Sequence, residues 1–289
     1  MTTLIDVHAH VFPDDVADAY IANYSGHSGM AAVCRPTVDA LLERYRAAGF
    51  ELRRAVLLPE WESTIAFDSP NLKLMATSDK YFTPSYFFSY NAWLGRVQRR
   101  DPRLVSFASV HPDEPDRVEE LDRAVSEFGL KGLKLVPCMQ HYHLNERRLF
   151  PVYERAQALR IPVLVHTGGD PVPGRELFGH PRDMAEVAAT FKELVIITAH
   201  MGIPFFEETK RLLAAADNVF TDVSFTIDVF DSETVSSLVS SIGADRVVFG
   251  SDFPFVDPQN AVEKLLVLSL SDSDKEKILW RNAERLLAR

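Results

Sequence analysis

The chain has 289 residues, of which 46% are hydrophobic and 25% charged, with 13 glycines and 17 prolines. This composition excludes a disordered, collagen-like or disulfide-built chain, and the length suits one large core. The formal net charge of -10 comes without any basic block, which disfavours nucleic acid and anionic membranes as partners.

The cysteine count and the hydropathy pattern indicate the cellular compartment of the protein. Cys34 and Cys138 are the two cysteines, and we expect both to be reduced thiols. The first residues form no signal sequence, and no stretch is apolar enough to span a bilayer. The sequence therefore predicts a cytoplasmic protein with a small-molecule substrate, and a homo-oligomer such as a dimer stays open.

Short apolar runs alternate along the chain with segments of helical periodicity. Near-continuous valine, isoleucine and leucine is typical of parallel strands covered on both faces. The eight predicted strands are Leu4–His10, Ala55–Leu58, Val105–Val110, Gly132–Val136, Pro162–His166, Leu194–His200, Val219–Val223 and Arg246–Asp252. Eight such units predict an α/β fold, a (β/α)8 TIM barrel, with residues 1–289 as a single domain.

Three of the intervening helices have clear boundaries. The segment Pro115–Phe128 carries one apolar stripe and is followed by Gly129 as a C′ residue. Asp257 and Pro258 form an N-cap and a first helical residue, and Asp272–Leu287 predicts a closing helix. No glycine-rich dinucleotide motif follows a strand, which disfavours an open doubly wound sheet.

Two connections are longer than the others, and both leave the carboxyl ends of their strands, where barrel enzymes build active sites. They are Phe12–Pro36 after the first strand and Pro59–Asp101 after the second. The second connection is rich in aromatic residues. Packing between helices and barrel is the simpler interpretation of these residues, and a substrate lid is the alternative.

The first strand ends with two histidines separated by one residue. Side chains alternate along a strand, so Asp6, His8 and His10 share one face while Ile5, Val7 and Ala9 take the other. We expect the apolar set to face the helices and the imidazoles to face the lumen near the barrel mouth. For a lone His-x-His, a pair of hydrogen-bonded core or surface histidines is the simpler interpretation.

Three further strands end in an ionisable residue. His166 ends the fifth strand, His200 the sixth and Asp252 the eighth. Such a residue at the end of an apolar strand is costly to desolvate unless it is paired or metal-bound. Five residues from four strand ends therefore predict one divalent metal site, with zinc as the first choice and manganese as the alternative.

These motifs resemble the amidohydrolase superfamily. The resemblance rests on Asp-Val-His-Ala-His in strand one, on the histidines ending strands five and six, and on Gly-Ser-Asp ending strand eight. Gly-Leu-Lys-Gly-Leu-Lys-Leu at 129–135 and Phe-Gly-Ser-Asp-Phe-Pro at 249–254 are similar to the amidohydrolase-related branch. That branch includes aminocarboxymuconate semialdehyde decarboxylase and resorcylate-type decarboxylases, and its members typically hold one divalent metal.

The resemblance implies a role for each matching residue. His8, His10, His166 and Asp252 become the metal ligands. His200 becomes either a further ligand or the general acid/base, and Asp252 can also move a proton. Two positions in strand four complicate the match. Lys134 lies where binuclear relatives carry a carbamylated lysine, although its surroundings look like the mononuclear branch. Val136 replaces a histidine that many relatives have.

The substrate is indicated only by residues of the mouth loops. Lys134, His143 and Arg175 predict a cationic rim that suits a carboxylate-bearing substrate, whereas solvated surface charge is the simpler interpretation of each one. Trp61 and Phe253 are candidates for stacking on a ring, and packing is the alternative for both.

Three function classes remain open on the sequence. The first is a metal-dependent hydrolase that uses a metal-activated water on an ester, lactone or amide of a small carboxylate-bearing substrate. The alternative is a non-oxidative decarboxylase or a hydratase acting on a small aromatic or unsaturated acid. The third is a binding protein that keeps the metal without turnover. Fold and ligands alone do not separate these classes.

Overall fold

All eight predicted strands are present and run parallel. The computed structural model describes residues 2–14, 17–18, 32–59, 86–169 and 176–288. In chain order the strands are β1 Thr3–His10, β2 Glu51–Leu58, β3 Leu104–Ser106, β4 Leu133–Leu135, β5 Val163–Val165, β6 Ile196–Thr198, β7 Val219–Asp222 and β8 Val247–Val248. Several are shorter than predicted, at their first as well as their last residues.

The strands close into a barrel through two short contacts. Strands β1 to β3 form one ladder, and β4 to β8 form the other. Ala108 pairs with Leu133 between β3 and β4, and Ala9 pairs with Phe253 between β1 and the residues after β8. The predicted (β/α)8 TIM barrel is therefore confirmed.

Helices alternate with the strands. The described helices are α1 Val38–Ala47, α2 Tyr86–Gln98, α3 Arg117–Ser126, α4 Pro137–Gln140, α5 Phe150–Ala158, α6 Asp183–Thr190, α7 Phe206–Ala215, α8 Thr226–Val229, α9 Ser232–Ile242, α10 Pro258–Leu266, α11 Asp272–Glu276 and α12 Asn282–Leu287. The Asp257 side chain accepts from Gln259 N at 2.9 Å, so it caps α10 as predicted.

Two helix boundaries differ from prediction. Helix α3 ends at Ser126, before the expected Phe128, although Gly129 has the positive φ of 75° that a C′ glycine adopts. The predicted closing helix is continuous but contains a π-helical turn at Lys277–Arg281 between α11 and α12.

Apolar side chains form two layers. One lies between the barrel and its helices and includes Leu4 and Ala9. The other fills the lumen, and Ile5 and Val7 belong to it. The prediction that Ile5, Val7 and Ala9 all face the helices is therefore wrong for Ile5 and Val7 and correct for Ala9.

A break in strand register explains the reversal. The pairing of β1 with β2 shifts between Asp6 and Ala9, so strict alternation does not hold there. Asp6 consequently faces the helix side, where Tyr45 of α1 donates to its carboxylate at 2.7 Å. His8 and His10 still reach the mouth.

Three remaining expectations concern the loops, the membrane and the cysteines. Most of the two long connections lies outside the described residues, but Tyr90 is buried and stacks on Trp93 at 5.3 Å, which agrees with packing. No helix in the described part of the chain is long and apolar enough to cross a membrane. Cys34 and Cys138 do not form a disulfide.

Candidate active site at the barrel mouth

The ionisable strand ends meet at the carboxyl end of the barrel. His8, His10, His200 and Asp252 are all buried, and His166 is half-buried. The backbone at this rim is unusual, since His200 has a φ of 58° and Asp252 a φ of 65°. Such values are rare for residues with a side chain, and they turn these two side chains away from the strand direction.

Three of the side chains form a tight group. His8 Nε2 lies 3.1 Å from His10 Nε2 and 3.4 Å from Asp252 Oδ1, and His10 Nε2 lies 3.5 Å from the same oxygen. Ligands at about 2.0–2.2 Å from a tetrahedral ion are separated from one another by about 3.3–3.6 Å. The two distances to Asp252 fall in this range and the distance between the imidazoles is slightly shorter, so the three atoms have the chemistry and nearly the spacing of ligands that share one divalent ion.

The protonation of the imidazoles also fits a metal. Burial, followed by the nearby charges of Lys134 and His200, lowers the pKa of His8 well below its ordinary value. Burial and the charge of His200 lower the pKa of His166 in the same way. Both rings are neutral at neutral pH, and a neutral imidazole has a lone pair to offer a cation.

The Asp252 carboxylate is the anionic member of the group. Burial by itself raises its pKa, but the charges and hydrogen bonds of His200, His10 and Lys134 outweigh burial and lower it. Asp252 is therefore ionised at neutral pH, as a metal ligand or a proton acceptor must be.

His166 and His200 form a second pair beside this group. His200 Nε2 lies 3.3 Å from His166 Nδ1, and the His8 and His200 rings lie 4.9 Å apart. On its other side the His200 ring contacts Ser224, with Nδ1 3.1 Å from the Ser224 carbonyl oxygen. The structure thus brings together all five residues that the sequence predicted for the metal site.

Sequence reasoning missed Asp222, which ends β7. Its Oδ2 lies 2.8 Å from His8 Nδ1, and its Oδ1 accepts from His200 N at 2.9 Å. Burial raises its pKa, while His200 and Ser224 oppose that effect. The signal was the one used for Asp252, because a carboxylate ends an apolar strand.

Another buried carboxylate, that of Asp6, connects β1 to the residues that follow β8. Asp6 accepts from His8 N at 3.0 Å, Ser251 N at 2.9 Å and Ser251 Oγ at 2.6 Å, besides Tyr45. Burial raises its pKa to about 6, and these hydrogen bonds oppose the increase. Asp6 therefore ties the residue before Asp252 to the strand that carries His8.

Lys134 lies inside the lumen, and its predicted rim location is wrong. The side chain is buried, and its Nζ is 3.2 Å from His8 Nε2. It faces inward because Leu133 and Leu135, its neighbours on β4, pack outward against the helices. An ammonium group thus adjoins the candidate metal group.

His143 lies at the mouth but is already paired. Its Nδ1 is 3.0 Å from Asp183 and its Nε2 2.9 Å from Glu176, and the hydrogen bond with Glu176 is the main cause of its raised pKa. The ring joins the loop after β4 to the loop after β5. Two carboxylates already neutralise its positive charge, so His143 adds little to a cationic rim.

Of the other three predicted substrate residues, Phe253 is the one that the structure describes. Phe253 is fully buried in the layer beneath the helices, and its carbonyl oxygen accepts from His10 N at 2.7 Å. This location favours packing over stacking on a substrate. Trp61 and Arg175 lie outside the described residues.

Comparison with known proteins gives the family. An amidohydrolase family model matches residues 5–289, so the chain belongs to the amidohydrolase family. The resemblance seen in the sequence motifs is thereby confirmed.

The curated relatives of the chain are enzymes. A gamma-resorcylate decarboxylase of Polaromonas sp. is 25% identical over 236 residues, which cover 66% of this chain and 72% of the relative. A 2-amino-3-carboxymuconate-6-semialdehyde decarboxylase of Dictyostelium discoideum is 26% identical over 205 residues, covering 59% of this chain and 56% of the relative. A 2-keto-4-carboxy-3-hexenedioate hydratase of Sphingobium sp. is 23% identical and covers 100% of this chain and 97% of the relative.

Solved structures share the fold. A dihydroxybenzoic acid decarboxylase from Polaromonas sp., crystallised with manganese and the inhibitor 2-nitroresorcinol, superimposes with a TM-score of 0.71. It is 18% identical, and the match covers 100% of this chain and 97% of that one. The relatives are decarboxylases and a hydratase, so they agree better with the alternative reading of the sequence than with hydrolysis.

Proposed function

We propose that the protein is a metal-dependent carboxy-lyase that removes CO2 from a small hydroxylated aromatic or unsaturated acid. The observation that carries the proposal is a buried cluster in which Lys134 Nζ lies 3.2 Å from His8 Nε2, and that nitrogen lies 3.1 Å from His10 Nε2 and 3.4 Å from Asp252 Oδ1. Such a cluster combines a cation site with a positive charge for an anionic substrate. The decarboxylases among the relatives support the same reaction class.

His8, His10 and Asp252 would hold the metal, with His166 as the fourth ligand. A divalent ion bound there supplies Lewis acidity, which polarises and orients a substrate oxygen. Imidazoles with one carboxylate suit zinc, and the manganese of the Polaromonas structure keeps manganese as the alternative.

Lys134 would recognise the anionic group of the substrate. Its buried ammonium is close enough to the ligands to donate to a carboxylate or phenolate that also reaches them. A charge-assisted hydrogen bond in such a site contributes about 1.5–3 kcal/mol.

The reaction needs one proton and releases one CO2. The bond between the carboxylate and its carbon breaks, and its electron pair is taken up by the proton that the carbon receives. His200 and Asp252 are the two groups that face the site and can pass that proton on, Asp252 after its carboxylate has accepted it from a substrate hydroxyl. The proton that is consumed would be replaced from water after product release.

Hydration is the second candidate. Of the three curated relatives compared above, the hydratase of Sphingobium sp. has a match that covers 100% of this chain. Addition of water to a double bond also needs a proton at carbon, so the same residues serve it. Hydrolysis ranks third, because none of the three curated relatives compared above is a hydrolase.

The test is a product assay in D2O with the metal-loaded protein and a panel of small hydroxybenzoates and carboxymuconates. We expect CO2 release together with one deuterium at the carbon that lost the carboxylate. Lys134→Met should lower kcat/KM about 10- to 100-fold, the loss of one charge-assisted hydrogen bond. Lys131→Met, which removes an exposed lysine from the loop before the same strand, should have no effect.

Binding provides a second readout. 2-Nitroresorcinol should raise the melting temperature of the metal-loaded protein and leave that of the chelated protein unchanged. Hydration of the panel acids without CO2 release would establish the second candidate. Turnover of lactones or esters with no reaction of any acid would contradict the proposal.

A further inference from the structure

The Asp222 carboxylate divides its two oxygens between different partners. Oδ1 accepts from His200 N at 2.9 Å, from Ser224 N at 3.1 Å and from Ser224 Oγ at 2.5 Å. Oδ2 contacts the ring of His8, 2.8 Å from Nδ1. Oδ1 therefore accepts hydrogen bonds from the segments that follow β6 and β7. Oδ2 contacts a single imidazole of the candidate metal group.

Hydrogen-bond chemistry decides which nitrogen of His8 carries its proton. Oδ1 already accepts from three donors, so Oδ2 is the oxygen that accepts from the ring and His8 Nδ1 is the donor. The lone pair of the neutral ring is then on Nε2. That nitrogen is the one 3.1 Å from His10 Nε2 and 3.4 Å from Asp252 Oδ1.

The same reasoning applies to His200. Its Nδ1 lies 3.1 Å from the Ser224 carbonyl oxygen, which can only accept, and 2.9 Å from Ser224 Oγ. The one hydroxyl proton of Ser224 is donated to Asp222, so the hydroxyl is an acceptor towards the ring. His200 therefore also carries its proton on Nδ1 and presents Nε2 to His166.

We infer that Asp222 is a positioning residue, which with Ser224 locks His8 and His200 in the tautomer whose Nε2 lone pairs face the metal site. Outer partners of this kind fix ring orientation and tautomer in metal centres generally. Asp222 is itself outside the ligand set, because both of its oxygens already accept hydrogen bonds. The inference rests on the proposed metal site at His8.

The variant Asp222→Asn separates this role from simple packing. The substitution keeps the size of the side chain but replaces one oxygen by an NH2 group. The amide oxygen must stay on the side of the backbone donors, because those N–H groups cannot change. The NH2 group then points at His8 Nδ1 and forces the proton of that ring onto Nε2, which blocks metal binding.

Asp222→Ala should have the larger effect on stability and the smaller effect on zinc affinity. It removes more hydrogen bonds, so it should destabilise the fold more than Asp222→Asn. Water can accept from His8 Nδ1 in the space that is left, so the productive tautomer stays accessible. We therefore expect zinc affinity to fall 10- to 100-fold in Asp222→Asn and less in Asp222→Ala. A structural role would give the reverse order.

Thr221→Val is the matched control on the same strand. Thr221 is fully buried and donates to Thr198 O at 2.8 Å, and within the described residues its hydroxyl has no hydrogen bond to an imidazole. The variant should lose thermal stability, whereas the tautomers of His8 and His200 and the affinity for zinc should stay as in the wild type.

The experiment combines nitrogen-15 NMR of the histidine rings in the chelated protein with zinc titration against a chromophoric chelator. His8 should be protonated on Nδ1 in the wild type and on Nε2 in Asp222→Asn, with its signal assigned from a His8→Gln spectrum. An unchanged tautomer in Asp222→Asn would overturn the inference. A changed tautomer with wild-type zinc affinity would overturn the metal assignment of His8 instead, and so distinguishes the two failures.

Discussion

Asp252 and His200 occupy the two positions of the site where a proton can be held next to the candidate ligands. Both residues have left-handed backbone conformations, with φ of 65° and 58°. Hydrogen bonds from the surrounding strands fix these conformations, including Asp252 N to His8 O at 2.8 Å. Backbone strain held in this way is typical of residues whose side chain must point in one direction.

Replacement of these two side chains should reduce rate more than metal content. Asp252→Asn keeps an oxygen ligand but loses the base, so it should retain part of its metal and lose a factor of about 10² to 10⁴ in kcat. His200→Gln should also retain metal and lose rate. Metal content, melting temperature and kcat should be measured on the same samples. Near-wild-type kcat per folded, metal-loaded molecule in both variants would remove them from the mechanism.

The five residues of the predicted metal site could be found from the sequence because each one breaks an apolar strand at its end. Asp222 could not be predicted as a site residue in the same way. It also ends an apolar strand, but no motif distinguishes it from a solvated acid. Lys134 shows a different limit, since the direction of its side chain depends on which neighbours of β4 pack outward.

At the scale of elements, the loop after β5 depends on a glycine that approaches a neighbouring loop. A Cβ on Gly168 would lie 2.0 Å from the Ile203 carbonyl oxygen, and the residue has a φ of 100°. Gly168 is two residues beyond His166. This close approach therefore holds His166 against the loop that follows His200.

Gly168→Ala should destabilise the protein by roughly 1–3 kcal/mol more than Gly49→Ala. Gly49 also has a positive φ, of 70°, but a Cβ there would meet nothing within 4 Å. Both variants place alanine at a positive φ, so the difference between their losses of stability measures the steric clash at Gly168. Urea denaturation measures both free energies of unfolding, and equal losses in the two variants would show that the loop yields to the added methyl group.

His143 should couple two mouth loops in a pH-dependent way. Its pKa is raised by its partners Glu176 and Asp183. The ion pairs therefore stabilise the fold fully below about pH 6.5, the ordinary value for histidine, and the stabilisation is lost as the pH rises through the raised pKa. The contribution stays within about 1 kcal/mol, because water screens the half-exposed pairs.

The melting temperatures of the wild type and His143→Gln at pH 5.5 and pH 8.5 test this coupling. We expect the variant to be less stable than the wild type at the lower pH and nearly equal to it at the higher pH. The same difference at both values would show that His143 contributes by packing on Phe178, whose ring lies 5.1 Å away, and not by charge.

The first strand shows why a fold can be predicted more fully than the orientation of its side chains. Eight apolar runs were enough to predict eight strands. Alternation then assigned Asp6 to the lumen, and the register shift between Asp6 and Ala9 placed it on the helix side instead. Such a bulge depends on tertiary pairing, so the local pattern contains no sign of it.

At the scale of the whole molecule, barrel closure creates the site. His8 and His10 come from the first strand and Asp252 from the residues after the last, so these side chains meet only because the two ends of the sheet join. The contacts of Ala9 with Phe253 and of Asp6 with Ser251 make that seam. Metal binding should consequently stabilise the closed barrel by about 2.7 kcal/mol when the metal is present at one hundred times its Kd.

The most direct test of the metal site is an anomalous difference map from crystals loaded with zinc or manganese. We predict one peak at the barrel mouth, within about 2.0–2.3 Å of His8 Nε2, His10 Nε2 and an Asp252 carboxylate oxygen. No peak at that position in crystals of protein that binds the metal in solution, or a single peak bound by other residues, would contradict the account.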